Sequence, residues 1–263
     1  MPGPQLSQSQ FHRLAQQIEA KAGLHFSDAK RDLLNARLGK RMLATGIKDT
    51  REYLREAEGS GEFDRLLDQV TTNQTYFWRE PEHFLHLMQW VKEDQAQHPL
   101  RLWSAACSSG EEPYTLAMAL LETTGGKRPF KILASDLSDR MLEKAVAGVY
   151  DAARVQTLPA GWRDRYFERQ KDGRWKVGAE LRASVSFARL NLLELPAGPE
   201  RLDAVFCRNV MIYFDRPVQQ QLVTELEARL QPDGWLYTGM AESLLAIRHG
   251  LVNRAPSAYQ RPR

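Results

Sequence analysis

From residue 100 onward the chain switches repeatedly between two patterns. The apolar run LRLWSAAC is followed by EPYTLAMALLETT at helical spacing, then by the strand-like FKILASDL, then by the helical SDRMLEKAVAGVY. SVSFARLNLL and LDAVFCRNVMIYF read as further strands, PVQQQLVTELEARLQ as a helix, and GWLYTGM as a strand. Strands separated by helices of ~10–15 residues do not fold back as hairpins. They form βαβ units, and therefore an α/β domain with a mostly parallel sheet.

The first part of the chain has a different pattern. FHRLAQQIEAKAGL carries Phe11, Leu14, Ala15 and Ile18 at helical spacing. Ser27 predicts an N-cap for DAKRDLLNARLGKRMLATG, which Gly46 ends. DTREYLREA and GEFDRLLDQVTT are two shorter helices, and PEHFLHLMQWVKED precedes the first strand. The expected division is an all-α domain at 1–70, a linker at 71–81, and an α/β domain at 82–263. One segment interrupts the alternation. In RYFERQKDGRWKV, Asp172-Gly173 lies between two β-compatible runs and predicts a type I′ hairpin, so a small antiparallel β-subdomain is expected at about 160–183.

Charge and apolar content narrow the function classes. A net charge of +3 over 263 residues does not argue for nucleic acid or a lipid surface. No segment approaches ~18 consecutive apolar residues, and MPGPQLSQSQ lacks the regions of a secretory signal. Cys107 and Cys207 sit in apolar runs and read as reduced thiols. No zinc-type Cys/His spacing occurs. A cytoplasmic protein with no metal and no membrane insertion is expected.

In an open α/β sheet, ligands bind outside the carboxyl ends of the strands. After LRLW comes SAACSSGEEPYTLA, where small residues let the backbone approach a ligand. Glu111 and Glu112 there suit a ligand with a cationic end, or simply complement a helix dipole. Asp136 ends the second strand, where a carboxylate can accept from two ribose hydroxyls. Its alternative role, a helix N-cap, can be taken by Ser138. Asn191-Leu192 and Arg208-Asn209 come after two more strands, and polar amides there can read an adenine edge or hold a ligand carboxylate. Each is by itself an ordinary turn residue. Together, four polar strand ends outline a nucleoside-sized pocket.

NQTYFWRE, WSAACSSGEEPYTLAM, ASDLSDRMLEKAVAGVY, NLL and CRNVMIYF occur in this order at compatible spacing. They resemble the signature blocks of the CheR family, the chemotaxis receptor glutamate O-methyltransferases, over nearly the whole chain. The resemblance implies a Rossmann-like methyltransferase domain carrying the β-subdomain, and an all-α N-terminal domain. It implies S-adenosylmethionine as cofactor and S-adenosylhomocysteine as product. It carries cofactor contacts onto Asn73, Thr75, Arg79, Glu111, Asp136, Asn191, Leu192, Arg208 and Asn209. TTNQTYFWRE then lies across the cofactor pocket, with Tyr76, Phe77 and Trp78 divided between anchoring the segment and walling the site. A plain domain linker with an aromatic plug is the other reading of that stretch.

The implied reaction methylates a glutamate side chain. A carboxylate of pKa ~4.3 is already ionised at pH 7, so no general base is needed. Accordingly His12, His25, His83, His86, His98 and His249 lie outside the site blocks and read as structural or exposed. What such an enzyme supplies is alignment, which lowers a barrier by ~7–11 kcal/mol in favourable cases. Arg79 is the candidate catalytic residue for steering the carboxylate, by a one-point contact. Tyr213 is either a hydroxyl donor at the site edge or a core tyrosine after a strand.

Between residues 12 and 48, four lysines and four arginines stand against Glu19, Asp28 and Asp32. Lys30, Arg37 and Arg41 fall within ~40° of one another on a helix, beside the stripe Leu34, Leu38 and Met42. This basic face is either a solvated surface or a binding surface. The resemblance makes it the surface for the methylation region of methyl-accepting chemoreceptor cytoplasmic helices. Some relatives dock a receptor tail peptide on a longer glycine-containing loop of the β-subdomain. Here the hairpin is tight, and methylation without tail-peptide tethering is expected.

Two rivals remain. An amino-directed nucleic-acid methyltransferase wants [N/D]-P-P-[Y/F] where this chain has CRNVMIYF, and a cytosine C5 enzyme wants Pro-Cys where Ala106 and Phe206 precede the cysteines. A non-catalytic cofactor-binding signalling adaptor is the second.

Overall fold

The first helices are set by their caps. Ser7 caps α1 (Gln8–Ala22) in a reciprocal box with Gln10. Asp49 caps α3 (Thr50–Ala57) and Ser60 caps α4 (Gly61–Val70), each through a side-chain oxygen. Between them α2 (Arg31–Thr45) ends on Gly46 at φ 78, as expected. Ser27 makes no side-chain cap; a 3-10 turn at Asp28–Lys30 comes first, and α2 begins at Arg31. The α2 helix packs on α4 and buries Leu34, Leu38 and Met42.

This computed structural model describes residues 5–71, 73–94, 96, 98–196 and 201–263. Residues 1–4 of the N-terminal stretch and Thr72 of the expected linker lie outside the described residues. The chain divides into two units: residues up to Thr72 with Tyr213–Asp215, and Asn73–Ile212 with Arg216–Arg263.

The second unit opens with α5 (Pro81–Glu93) and then runs β1 (Leu100–Ala105), α6 (Glu111–Thr124), β2 (Phe130–Asp136) and α7 (Asp139–Ala147). A short strand β3 (Val149–Tyr150), helices α8 (Ala152–Val155) and α9 (Trp162–Tyr166), and the hairpin β4 (Phe167–Arg169) and β5 (Trp175–Val177) come next. Then come α10 (Ala179–Ser184), β6 (Val185–Arg189), β7 (Leu202–Cys207), α11 (Arg216–Arg229), β8 (Leu230–Thr238), β9 (Val252–Ala255) and β10 (Ala258–Gln260). The main sheet has the order β6-β2-β1-β7-β8-β10-β9. Its first five members are parallel, and β9 and β10 add an antiparallel edge.

All six residues of β7 are buried, as suits a strand covered on both faces. The chain winds outward from β1 to β2 and β6 on one side, and through β7 and β8 on the other. The switch between β1 and β7 is where such sheets open a crevice. The strand expected through Phe214 stops at Cys207, and Met211–Tyr213 form a 3-10 turn.

The inserted sheet has three strands, β3-β5-β4, because Val149 and Tyr150 pair with Lys176 and Trp175. The predicted subdomain at 160–183 therefore omits one of its strands. The hairpin turn also differs from type I′. Gly173 alone has positive φ, at 84, and Gln170 N–H donates to the Arg174 carbonyl at 2.8 Å across a three-residue loop. Asp172 instead accepts from the Arg174 backbone N–H at 3.1 Å. This is the type I turn closed by a left-handed glycine.

Candidate active site

Four neighbouring strands, β6, β2, β1 and β7, end side by side, and the site is built on the turns just past their carboxyl ends. Asp136 closes β2. Its Oδ2 accepts the Ser108 N–H at 2.8 Å and its Oδ1 accepts the Ser138 N–H at 2.9 Å. Ser138 caps α7 itself, which leaves Asp136 to organise the turn after β1. A carboxylate oxygen held by one N–H still has acceptor capacity for a hydroxyl.

The turn after β1 passes close to α7. At Gly110, φ is 93, and a Cβ there would lie 2.9 Å from the Ala145 Cβ and 2.9 Å from the Tyr150 hydroxyl. Glycine is therefore required where α6 starts, at Glu111 rather than near Pro113. Glu111 is fully buried. Its Oε2 accepts from the Ser109 hydroxyl at 2.7 Å, and Arg154 on α8 donates to Oε1. Burial pushes the Glu111 carboxyl up, and the Ser109 and Arg154 contacts offset this in part. A cationic ligand group beside it would favour its ionised form.

The stretch from Asn73 to Glu80 is fastened to this turn mostly by its main chain. The Ser108 hydroxyl donates to the Asn73 carbonyl at 3.4 Å, Arg154 to the Thr75 carbonyl at 3.0 Å, and Thr157 to the Phe77 carbonyl at 2.8 Å. Trp78 N–H donates to Thr115 at 3.3 Å. The three aromatics divide their tasks. Phe77 is fully buried, edge-on to Tyr150 and Phe167. Trp78 stacks on Phe84 at 5.3 Å. Tyr76 is 43% exposed, with the Arg79 guanidinium 5.7 Å above its ring. Arg79 also donates to the Gln74 carbonyl at 2.9 Å.

Arg208 and Asn209 come directly after β7, but their side chains turn inward. Arg208 is buried and bonds Glu112 and Glu80, each at 3.0 Å, and the Arg79 carbonyl. Asn209, at φ 58, donates through Nδ2 to Glu80 at 3.0 Å. Its main-chain N–H goes to Glu242 at 2.7 Å. The bonds of Arg208 commit its guanidinium to the interior, so any cofactor contact of Arg208 falls to its main chain. Asn191 uses Oδ1 to accept the Leu193 N–H at 3.1 Å in an Asx turn, and Leu192 is nearly buried.

Sequence reasoning missed Glu80, Arg154 and Glu242 as members of this network, and Glu112, read with Glu111 as suiting a cationic ligand, instead accepts from Arg208 at 3.0 Å and from the Ser104 hydroxyl at 2.7 Å. Glu242 alone had a signal, because it lies just past β8, at the same rim. It accepts main-chain N–H groups from Asn209, Ile212 and Gly239, and so holds the turn that replaces a strand after Cys207. Seven non-glycine residues have positive φ among the described residues, and Trp78, Glu80, Ala106, Ser108 and Asn209 are five of them. Such backbone persists only where surroundings over-determine it, and it concentrates at functional sites.

Two family models cover the chain: "CheR methyltransferase, all-alpha domain" over residues 9–71 and "CheR methyltransferase, SAM binding domain" over residues 73–256. The chain belongs to the CheR methyltransferase family. It is 38% identical to the chemotaxis protein methyltransferase of Escherichia coli K12, over 97% of this chain and 91% of that one. With chemotaxis protein methyltransferase 2 of Pseudomonas aeruginosa the identity is 36%, over 98% and 97%. With the probable biofilm formation methyltransferase WspC of P. aeruginosa it is 36%, over 92% and 58%. As a CheR family member it is an S-adenosylmethionine-dependent methyltransferase, and its rim chemistry fits that cofactor: buried Glu111 suits an ammonium and Asp136 suits ribose hydroxyls.

The remaining site expectations of the CheR resemblance lie in the helical unit. Arg41 is committed to Glu62 by two bonds of 2.9 Å, and the Tyr53 hydroxyl joins the same carboxylate at 2.7 Å. It cannot be counted as a free charge on the basic face. Lys30 reaches the His25 carbonyl at 3.4 Å, and Arg37 is half-buried. Tyr213 clusters with this unit, and its carbonyl accepts the His25 N–H at 2.9 Å.

Proposed function

We propose that this chain transfers a methyl group from S-adenosylmethionine to glutamate side chains of chemoreceptors, giving glutamyl methyl esters and S-adenosylhomocysteine. It serves adaptation in chemotaxis-type signalling and works in the cytoplasm. The observation that carries this reading is the pair of carboxylates at the carboxyl rim of two adjacent parallel strands, Asp136 ending β2 and Glu111 starting the helix after β1, with the Asn73–Glu80 stretch fastened beside them.

When bound, S-adenosylmethionine supplies an electrophilic methyl group on a sulfonium. The protein's part is binding and aim. Asp136 holds the ribose hydroxyls. Glu111 would hold the ammonium, beside the Arg154 guanidinium that donates to it. Asn73 and Thr75 contribute from the strap that crosses these turns, and Asn191, Leu192, Asn209 and the main chain at Arg208 line the base and methionine ends. No residue needs to remove a proton, since the receptor carboxylate is already ionised. Arg79 steers that carboxylate by one hydrogen bond; a bidentate grip would blunt the nucleophile. Tyr213 is a candidate hydroxyl donor to it, and equal turnover of Tyr213→Phe would remove that role. Lys30 and Arg37 meet the acidic face of the receptor helix.

The test is transfer of tritium from labelled cofactor to receptor-rich membranes. Base-labile label on the receptor, as an ester gives, is the expected result. Cofactor binding with no transfer to any receptor would favour the adaptor, and base-stable label on nucleic acid would favour the other rival.

A further inference from the structure

We infer that Glu80 is a positioning residue for the methyl transfer, acting by fixing the backbone that presents Arg79; the inference rests on the methyltransferase reading of this site. Trp78 and Glu80 bracket Arg79 at φ 60 and φ 55, in the left-handed region that non-glycine residues rarely adopt. Two consecutive alternations of this kind do not hold themselves. Trp78 is held by its stack on Phe84 and an edge contact with Trp162 at 4.9 Å.

Glu80 is held by three donors from two rim loops. Its Oε1 accepts from Asn209 Nδ2 at 3.0 Å, and its Oε2 from Arg208 at 3.0 Å and the Met240 N–H at 3.3 Å. Arg208 donates with the same nitrogen to the Arg79 carbonyl, lies over the Phe84 ring at 5.2 Å, and reaches Glu112 with its other nitrogen at 3.0 Å. One carboxylate thus ties the peptide of Arg79 to the ends of β7 and β8, and through Arg208 to α6. Only a group that accepts everywhere can take all three donors. A glutamine in its place turns an N–H toward one of them. The Arg208–Glu112 pair survives that change, so the fold should survive it too.

The experiment compares wild type with Glu80→Gln for cofactor affinity by calorimetry, receptor KM, kcat and thermal midpoint. The result expected is a kcat lower by about tenfold to a hundredfold, the upper figure being that for a group misplaced by ~1 Å, with cofactor Kd and receptor KM each within about threefold. In the Arg79→Ala background the same substitution should cost nothing more, because residues acting as one unit are not additive. An unchanged kcat, a loss confined to Kd or KM, or an equal further loss in the Arg79→Ala background would overturn the inference. Should Glu80→Gln melt far below wild type, Arg208→Lys carries the same comparison: it keeps the charge between Glu80 and Glu112 but cannot span to the Arg79 carbonyl as well. Wild type that transfers no methyl group strikes the functional reading itself. Wild type that does, with Glu80→Gln equal to it, strikes only this inference.

Discussion

Asp136 accepts the Ser108 main-chain N–H at 2.8 Å, so the carboxylate that ends the second strand also shapes the turn after the first. In the proposed site one side chain would therefore set both the ribose contact and the loop next to it. Asp136→Asn must place an amide N–H against either Ser108 or Ser138 and lose a charged acceptor. S-adenosylhomocysteine affinity should fall about tenfold to a hundredfold, the scale of a charged hydrogen bond or two. Unchanged affinity in a calorimetric titration would remove Asp136 from the pocket.

The basic face separates into structural and free charges. Arg41→Ala removes the two charged hydrogen bonds of Glu62 and leaves it the Tyr53 hydroxyl, and should cost about 2 kcal/mol of stability in denaturant unfolding. Arg37→Ala should cost less than about 0.5 kcal/mol. Lys30→Glu with Arg37→Glu should raise receptor KM while cofactor Kd stays the same. Equal receptor methylation at subsaturating receptor would show that this face binds nothing.

His83 gives the fold an acid-side dependence. It is 1% exposed, near the Pro256 carbonyl at 3.3 Å and Glu80 at 3.6 Å. Burial, then the Arg208 charge, lowers its pKa from 6.5 to about 4. Within that window the unfolded chain takes up a proton that the folded chain refuses. Stability is therefore lost as pH falls from about 6.5 toward 4, by about 1.4 kcal/mol per pH unit for one proton. His83→Gln should flatten the curve of unfolding free energy against pH by that one proton. Parallel curves for the two proteins would contradict the assignment.

The three-residue loop at Lys171–Gly173 leaves no extra glycine loop on the small sheet. A pentapeptide with the aromatic character of a receptor tail should give no heat on titration. Micromolar binding would show that this chain tethers after all.

Much of the fold could be read in advance because it rests on local periodicity. The strands at Leu100, Phe130, Val185 and Leu202, and the cap at Ser138, depend on side chains within a few residues, although the cap expected at Ser27 does not form. The rim positions of Glu111 and Asp136 were legible because the topology fixes where the strands end and where an open α/β sheet forms its crevice. The inward turn of Arg208 was not. Its partners Glu80 and Glu112 are 128 and 96 residues away, and no local pattern distinguishes a buried guanidinium from one facing a ligand. Arg41 failed for the same reason, since Glu62 lies 21 residues on. The Asp172 turn failed locally: Asp-Gly fits type I′ and the glycine-closed type I turn alike, and loop length decides between them.

The most direct measurement is titration of purified protein with S-adenosylhomocysteine. The rim carboxylates and the Asn73–Glu80 strap predict saturable one-to-one binding that Asp136→Asn weakens and that the Lys30→Glu, Arg37→Glu pair leaves alone. Absence of any binding by a folded wild-type chain would contradict the whole account.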